Sequence, residues 1–112
     1  PKEIPPPLEI ECLKVLWELE ETSVRGVKEG LEPRRKLAYT TVMTLLDRLV
    51  RKGGATRRKS GRSFLYRAVL DQETVRRKAI EELADSLFDG SPQLLLRYLR
   101  QHEEQRSAAS SS

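Results

Sequence analysis

The segment "AYTTVMTLLDRLVRKG", residues 38–53, limits the possible folds more than any other part of the chain. At about 100° per residue, an α-helix collects the apolar side chains of this segment on one half of its circumference. These are Val42, Met43, Leu45, Leu46, Leu49 and Val50. The other half carries Thr40, Thr41, Thr44, Asp47, Arg48, Arg51 and Lys52. Such a helix must bury its apolar half, so we expect a small helical core with the threonine and arginine half in solvent.

Two helices are predicted before this segment, after an extended proline-rich leader. The first covers residues 8–21, and the second covers residues 23–32 with Ser23 as its N-cap. The apolar face of the first helix consists of Cys12, Leu13, Leu16 and Trp17. We therefore interpret Cys12 as a core residue and not as a reactive thiol. As the single cysteine, it also permits no internal disulfide, which suits a reducing cytoplasm.

After Gly53 and Gly54, the pattern changes from a helical period to a period of two. The segments "ATRRK" and "RSFLYRA" flank "SG", which predicts a β-hairpin with Ser60-Gly61 as its loop. Phe64 and Tyr66 are expected on the same, core-facing side of the hairpin. Three helices followed by a basic hairpin predict a winged helix-turn-helix over residues 1–70, in which the third helix enters the major groove of DNA.

The charges are distributed unevenly along the sequence. Residues 1–33 carry a net charge of −4, residues 34–70 carry +10, and residues 71–112 carry −2. Asp47 is the one acid of the basic block. A basic block within a folded region is typical of a protein that binds a polyanion, although a solvated basic face is the alternative. We interpret DNA phosphates as the negative charge that residues 34–70 lack.

Specific roles on DNA follow from this interpretation. Contacts with base edges are predicted for Thr41, Thr44 and Arg48, because arginine pairs with guanine and threonine methyl groups meet the thymine methyl. Contacts with phosphates are predicted for Thr40, Arg51, Lys52, Arg57, Arg58, Lys59 and Arg62. Hence the predicted partner is double-stranded DNA.

The remainder of the chain is predicted to form two helices and a disordered tail, residues 107–112. The helices are residues 71–90, with Asp71 as the N-cap, and residues 91–106, with Ser91 as the N-cap. Leucines and a tyrosine surround most of the last helix, and two short helices cannot bury them all. We expect a second copy of the chain to cover them, with packing against the winged domain as the alternative. The expected dimer interface consists of Leu83, Leu87, Leu94, Leu95, Tyr98 and Leu99.

Enzymes, metal sites and membrane spans are disfavoured by the sequence. The single histidine, His102, lies in a charged stretch without a second histidine or cysteine near it, so neither a catalytic role nor a zinc site is expected. No phosphate-binding glycine motif or other cofactor signature is present. Apolar runs do not exceed three residues, which excludes a membrane span and a signal peptide. We expect a cytoplasmic protein that is not an enzyme.

Several motifs together resemble the penicillinase-repressor (BlaI/MecI) family of bacterial transcriptional repressors. They are "LEIECLKVLWEL", "AYTTVMTLLDRLVRKG", "KSGRSFLYRA" and "LFDGS", and the resemblance extends from residue 8 to about residue 102. It implies a dimeric winged-helix repressor that binds dyad operators built on TACA and TGTA. It further implies control of β-lactam-resistance-type genes and release from DNA when a membrane-bound sensor with a zinc metalloprotease domain triggers cleavage of the C-terminal region.

Several features of the sequence bear on these implications. The Asn-Phe cleavage position of the family corresponds to Arg97-Tyr98, and the chain contains no asparagine. The paired C-x-C motifs of copper-responsive relatives are absent, which disfavours that branch. The chain also starts at Pro1, which indicates processing or trimming, and it stops soon after His102, where many relatives continue into another helix. A smaller dimer interface is therefore expected.

Two alternatives of another class remain open: a winged helix that contacts protein, and one that binds RNA. A protein-binding wing would tolerate acids in residues 34–70, where only one occurs. RNA binding would favour exposed aromatic residues for stacking, whereas Phe64 and Tyr66 are expected in the core.

Overall fold

The structure is a computed structural model that describes the backbone of residues 4–111 and the side chains of residues 4–106. Within this range there are five helices and three short strands. In chain order they are α1 (Pro7–Leu19), β1 (Glu21–Thr22), α2 (Val24–Leu31), α3 (Tyr39–Arg51), β2 (Ala55–Ser60), β3 (Ser63–Ala68), α4 (Gln72–Leu87) and α5 (Pro92–Ser111). The predicted winged helix-turn-helix is confirmed. The chain divides into two compact units between Val75 and Arg76, whereas the predicted boundary follows residue 70.

The core of the N-terminal unit lies between α1, α2, α3 and the sheet. From α3 it contains Val42, Leu45, Leu46 and Leu49, each no more than 6% exposed. The other fully buried side chains include Cys12, Leu13, Leu16, Val27, Leu31 and Tyr66. The expected apolar half of α3 is thus confirmed with one exception. Met43 is 39% exposed and lines a groove beside the β2–β3 hairpin, so the buried face of the helix is narrower than predicted.

The sheet contains one strand that the sequence analysis missed. Its order is β1-β3-β2, and β1 pairs with β3 through Glu21↔Arg67 and Thr22↔Tyr66. The prediction of a helix as far as residue 21 is therefore wrong at its end. Glu20 has a φ of 68°. A right-handed helix needs a φ of about −60°, so α1 cannot continue through this residue. The strand β1 consists of two polar residues only, which is too short to show the alternating pattern that predicts a strand.

The hairpin loop is also shifted by one residue from its predicted position. Ser60 pairs with Ser63, so the loop is Gly61-Arg62 and not Ser60-Gly61. Gly61 has a φ of 62°. A two-residue hairpin loop of the II′ type needs a positive φ at its first position, which glycine adopts without steric cost. The position of this glycine therefore fixes the register of the whole wing, which we define as residues 55–68.

Two polar contacts fix the ends of α1 within this unit. The carboxylate of Glu9 is buried, with 1% of its side chain exposed, and accepts hydrogen bonds of 3.1 Å on both oxygens from Lys52 Nζ. Near the other end of α1, Trp17 Nε1 donates a 2.8 Å hydrogen bond to the carbonyl oxygen of Leu70. Through these contacts α1 is connected to the C-terminal end of α3 and to the segment that follows β3.

Cys12 is fully buried, as predicted for a core residue. Desolvation by burial, with a smaller effect from the carboxylates of Glu9 and Glu11, raises the pKa of its thiol to about 12. Because the thiolate is the reactive form, this cysteine is protected in the folded protein.

Both of the helices that follow the wing have the predicted N-caps. Asp71 accepts a hydrogen bond from the Thr74 amide, and Ser91 accepts one from the Leu94 amide. The chain between the two helices turns at Asp89 and Gly90, whose φ values are 52° and 75°. The backbone of α5 continues to Ser111, into the segment 107–112 for which a disordered tail was predicted; residue 112 lies outside the described residues. None of the described helices is long and apolar enough to span a membrane.

Removing the amine that neutralises Glu9 should destabilise the N-terminal unit. In a Lys52→Met variant the carboxylate stays buried without its partner, so we expect the free energy of unfolding to fall by about 1–3 kcal/mol. Urea unfolding followed by circular dichroism measures the change. Lys59→Met, at an exposed wing lysine, is the matched control and should stay within about 0.5 kcal/mol of the parent. Equal midpoints for the two variants would contradict a stabilising role for the Glu9–Lys52 pair.

Candidate nucleic-acid interface

The outward half of α3 has the exposure that its sequence predicts. Thr40, Thr41, Thr44, Arg48 and Arg51 are all exposed. The hydroxyl of Thr44 donates a 3.0 Å hydrogen bond to the carbonyl oxygen of Thr40. Because this donor already has an acceptor within the helix, its methyl group and its oxygen lone pairs are what it offers a ligand. The three predicted base-contact residues therefore lie on one accessible helical face.

Asp47, the single acid of the basic block, is paired with a cation of the wing. Arg57 Nη1 donates a 3.1 Å hydrogen bond to Asp47 Oδ1, and the Arg57 guanidinium carbon lies 4.4 Å from the centroid of the Phe64 ring. Both charged side chains are 40% exposed, so the pair adds little to stability. It does connect α3 to both strands of the wing.

A second wing cation is paired on the opposite face of the sheet. Arg58 donates two hydrogen bonds of 2.9 Å to the carboxylate of Glu21. These bonds hold the pKa of Glu21 below its ordinary value, so the pair is intact at neutral pH. Consecutive residues of a strand point to opposite faces, and Arg58 therefore does not share a face with Arg57 and Lys59. The wing cations for which phosphate contacts were predicted are therefore divided between two faces of the sheet.

The predicted phosphate-contact residues thus fall into two groups. Lys52, Arg57 and Arg58 already form ion pairs with Glu9, Asp47 and Glu21. Thr40, Arg51, Lys59 and Arg62 are exposed. Among the residues whose side chains are described, none forms an ion pair with Arg51, Lys59 or Arg62. Glu9 and Glu21 belong to the acidic N-terminal third. These acids therefore compensate part of the net positive charge of residues 34–70.

A groove of about 470 Å³ separates α3 from the wing. Its lining is Ser23, Val24, Arg25, Tyr39, Met43, Asp47, Arg57, Arg62, Ser63, Phe64 and Tyr66. Three guanidinium groups, those of Arg25, Arg57 and Arg62, face it together with one carboxylate. Arg25 was not among the residues predicted from the sequence. Its position in the first turn of α2, the first helix of the helix-turn-helix pair, is the signal that could have identified it, because that helix crosses the DNA backbone in such proteins.

Phe64 does not have the core position predicted for it. Tyr66 is 1% exposed, but Phe64 on the same side of β3 is 40% exposed, and Tyr39 at the start of α3 is 48% exposed. The core ends at Tyr66, and the Arg57 guanidinium covers the more distal Phe64 ring. Exposed aromatic residues therefore do occur beside the groove.

The predicted interface residues of the C-terminal unit differ in exposure. Five of them are 38–72% exposed: Leu83, Leu87, Leu94, Tyr98 and Leu99. Leu95, in contrast, is only 4% exposed. Ile80 and Leu96, which the sequence analysis did not select, are 46% and 48% exposed.

The Arg97-Tyr98 bond lies within α5. The Tyr98 ring contacts Phe88 at a centroid distance of 5.6 Å and is stacked with His102 at 6.2 Å. His102 thus packs on a tyrosine. Among the described residues, no group of three or more histidine, cysteine, aspartate or glutamate side chains is arranged to hold a metal ion.

Known proteins resemble this chain over most of its length. The transcriptional regulator BlaI of Mycobacterium tuberculosis is 38% identical over 91 residues, which are 80% of this chain and 66% of that protein. An uncharacterised 16.5 kDa protein of Latilactobacillus sakei is 33% identical over 81 residues, which are 72% of this chain and 53% of that one. The chain thus spans about half to two thirds of the length of these relatives.

A solved structure resembles the N-terminal part of the chain. The solution structure of the monomeric form of Bacillus licheniformis BlaI, in complex with the blaP half-operator, superposes with a TM-score of 0.54 and 30% sequence identity. The match covers 64% of this chain and 90% of that one. The family model described as penicillinase repressor matches residues 6–110. The chain therefore belongs to the penicillinase repressor family.

Proposed function

We propose that this protein is a transcriptional repressor that binds double-stranded operator DNA through α3 and the wing. The observation that carries the proposal is the exposed threonine and arginine half of α3 beside a groove lined by three guanidinium groups. A cationic concavity next to a helix is suited to one strand of a duplex while the helix occupies the major groove. The related BlaI of B. licheniformis is in complex with a half-operator, which supports the same partner here.

The base-reading residues in this proposal are Thr41, Thr44 and Arg48. Arg48 pairs with a guanine in the bidentate manner, and the threonine methyl groups contact thymine methyl groups. Both bases occur in the TACA and TGTA half-sites that membership of the family suggests. All three side chains are exposed on one face of α3, so they can reach successive base pairs.

The phosphate-binding residues are those around the reading face. Thr40, Arg51, Lys59 and Arg62 have exposed side chains for this role, and Arg25 joins them because it lines the groove. Arg57 and Arg58 reach phosphates while paired with acids, which reduces the charge that each contributes. We assign Lys52 a structural role instead, because its amine neutralises the buried Glu9.

The C-terminal helices hold two copies of the protein together in this proposal. Leu87, Tyr98 and Leu99 are each at least half exposed in the single chain, and apolar surface of this extent is typical of an interface between subunits. A dyad operator needs two recognition helices about 34 Å apart, which a dimer supplies. The pairing thus explains both the apolar face and the symmetry of the operator.

Release from DNA in this proposal follows proteolysis near Arg97-Tyr98, triggered by a membrane-bound sensor metalloprotease acting on a cytoplasmic repressor. The bond lies in α5, and a protease needs an extended segment, so local opening of the helix must precede cleavage. Cleavage would separate Leu94 from Leu99, remove part of the shared apolar surface and leave each subunit with the contacts of one half-site.

RNA binding is the second candidate, because Tyr39 and Phe64 are exposed beside the groove and aromatic side chains stack on unpaired bases. The Arg57 guanidinium covers Phe64, which favours the duplex. An excess of single-stranded RNA should therefore leave a complex with operator duplex intact. Displacement of the duplex would favour the RNA-binding alternative.

Loss of the Arg48 guanidinium should reduce the preference for the operator. We expect Arg48→Ala to weaken binding to a TACA/TGTA dyad duplex by about 1–3 kcal/mol and to change binding to a shuffled duplex much less. Fluorescence anisotropy with both duplexes measures the two affinities. Lys59→Ala is the matched control, and it should weaken binding to both duplexes to a similar degree because phosphates carry no sequence information. An Arg48→Ala protein with unchanged preference would refute the base-reading role.

A charge on the apolar face of α5 should separate the subunits. We expect Leu99→Asp to be monomeric in sedimentation velocity, to retain the circular dichroism of the folded winged domain and to lose tight operator binding. Leu99 is the suitable position because it is half exposed, whereas Leu95 is buried and a charge there would disturb folding. Gln101→Asp places the same charge at an exposed polar position of α5 and should stay dimeric. A dimeric Leu99→Asp protein would contradict this interface.

Operator DNA should slow proteolysis in the C-terminal region. DNA favours the dimer, and the dimer buries the helix that must open, so the two equilibria are linked. We expect incubation with the cognate metalloprotease to give a cut near Arg97-Tyr98, identified by mass spectrometry of the fragments, and less of it when operator duplex is present. Derepression of target genes while the protein stays intact would refute proteolytic release.

A further inference from the structure

We infer that Asp47 is a positioning residue that determines specificity: by holding Arg57 at the recognition helix, it weakens binding to non-operator DNA more than binding to the operator. The inference rests on the proposed function and concerns the same surface. A carboxylate on a DNA-binding face repels phosphates. The contacts of its carboxylate give it a different role.

The contact between Asp47 and Arg57 connects α3 to the wing. Asp47 lies in α3, directly before the predicted base-reading Arg48, and its carboxylate is 3.1 Å from Arg57 Nη1 in β2. The same guanidinium lies over the Phe64 ring of β3 at 4.4 Å. One guanidinium is therefore held by the helix on one side and by the neighbouring strand on the other. This contact fixes the wing relative to Arg48.

Asp47 also reduces the positive charge of the groove between α3 and the wing. The groove between α3 and the wing is lined by three guanidinium groups and one carboxylate, that of Asp47. Non-specific binding depends almost entirely on the number of phosphates that cations neutralise. Asp47 cancels about one of those charges, so it weakens binding to any duplex sequence. In the absence of a compensating effect, such an acid would only reduce affinity.

The compensating effect exists only on the operator. There, the wing must contact the backbone while Arg48 and the threonines are in register with the bases, and a wing that is already in place loses less conformational freedom on binding. On other sequences the base contacts are missing, so a fixed wing brings no advantage. The Asp47–Arg57 pair should therefore increase the ratio of operator affinity to non-operator affinity.

The test compares Asp47→Asn, which removes the charge and keeps the shape, with the parent protein. The probes are a TACA/TGTA dyad duplex and a shuffled duplex of the same composition. We expect the affinity for the shuffled duplex to rise about three- to tenfold, and its log–log salt slope to steepen by about 0.9 for each subunit. The operator affinity should change less than about twofold, so the specificity ratio falls.

Two controls separate this role from simpler explanations. Glu18→Gln makes the same change in net charge at an exposed position of α1 outside the groove lining, and it should leave the ratio unchanged. A second pair of proteins, both with Arg57→Ala, distinguishes positioning of Arg57 by Asp47 from direct reading of a base by Asp47. There, Asp47→Asn should raise both affinities equally, because Asp47 acts on specificity through Arg57. Urea unfolding midpoints of all variants should agree, since the pair is exposed.

Several outcomes would overturn the inference. Equal effects of Asp47→Asn and Glu18→Gln on the specificity ratio would mean that only the net charge of the protein matters. If Asp47→Asn still changed the ratio in the Arg57→Ala protein, Asp47 would read a base itself. In both cases the proposed function stands, because the parent protein still prefers the operator duplex. A parent protein that binds neither duplex would overturn the proposed function and this inference together.

Discussion

The burial of four α3 side chains determines which face of this helix is available to a ligand. Val42, Leu45, Leu46 and Leu49 are in the core, so the helix cannot rotate about its axis without exposing them. A rotation would cost on the order of 1.5–3 kcal/mol for each side chain that became exposed. Since the positions of the opposite half are fixed by the same helical geometry, threonine hydroxyls and guanidinium groups must face solvent on one continuous surface.

Acids from outside the basic block determine how the surrounding cations are used. Glu9 reaches the C-terminal end of α3 through Lys52, and Glu21 reaches the wing through Arg58. Within α3 itself, Asp47 connects to Arg57. These pairs connect α3 and the wing to neighbouring segments through polar contacts, in addition to the apolar core. The surface therefore combines cations that are held in place with cations, such as Arg62, that are left for a ligand.

Local signals were sufficient to predict the helices, the caps and the wing. The period of α3, the serine and aspartate caps and the basic hairpin each depend on residues within one turn or one strand pair, which a sequence displays directly. The errors concern contacts between distant segments. The strand β1 exists because β3 offers it an edge, Phe64 is exposed because the core ends at Tyr66, and the partners of Lys52 and Arg58 lie 43 and 37 residues away. The burial of Leu95 likewise follows from the fold, because the sequence alone does not distinguish it from its exposed neighbours Leu94 and Leu96.

The central claim is that the outward half of α3 and the wing together form one surface for duplex DNA. Titration of the isotope-labelled protein with an operator duplex, followed by amide chemical shifts in NMR, tests it most directly. The account predicts that the largest shifts fall on Thr40, Thr41, Thr44, Arg48 and the hairpin loop at Gly61, with small shifts along α1. Large shifts confined to α1 or to the C-terminal unit, with α3 and the wing unaffected, would contradict it.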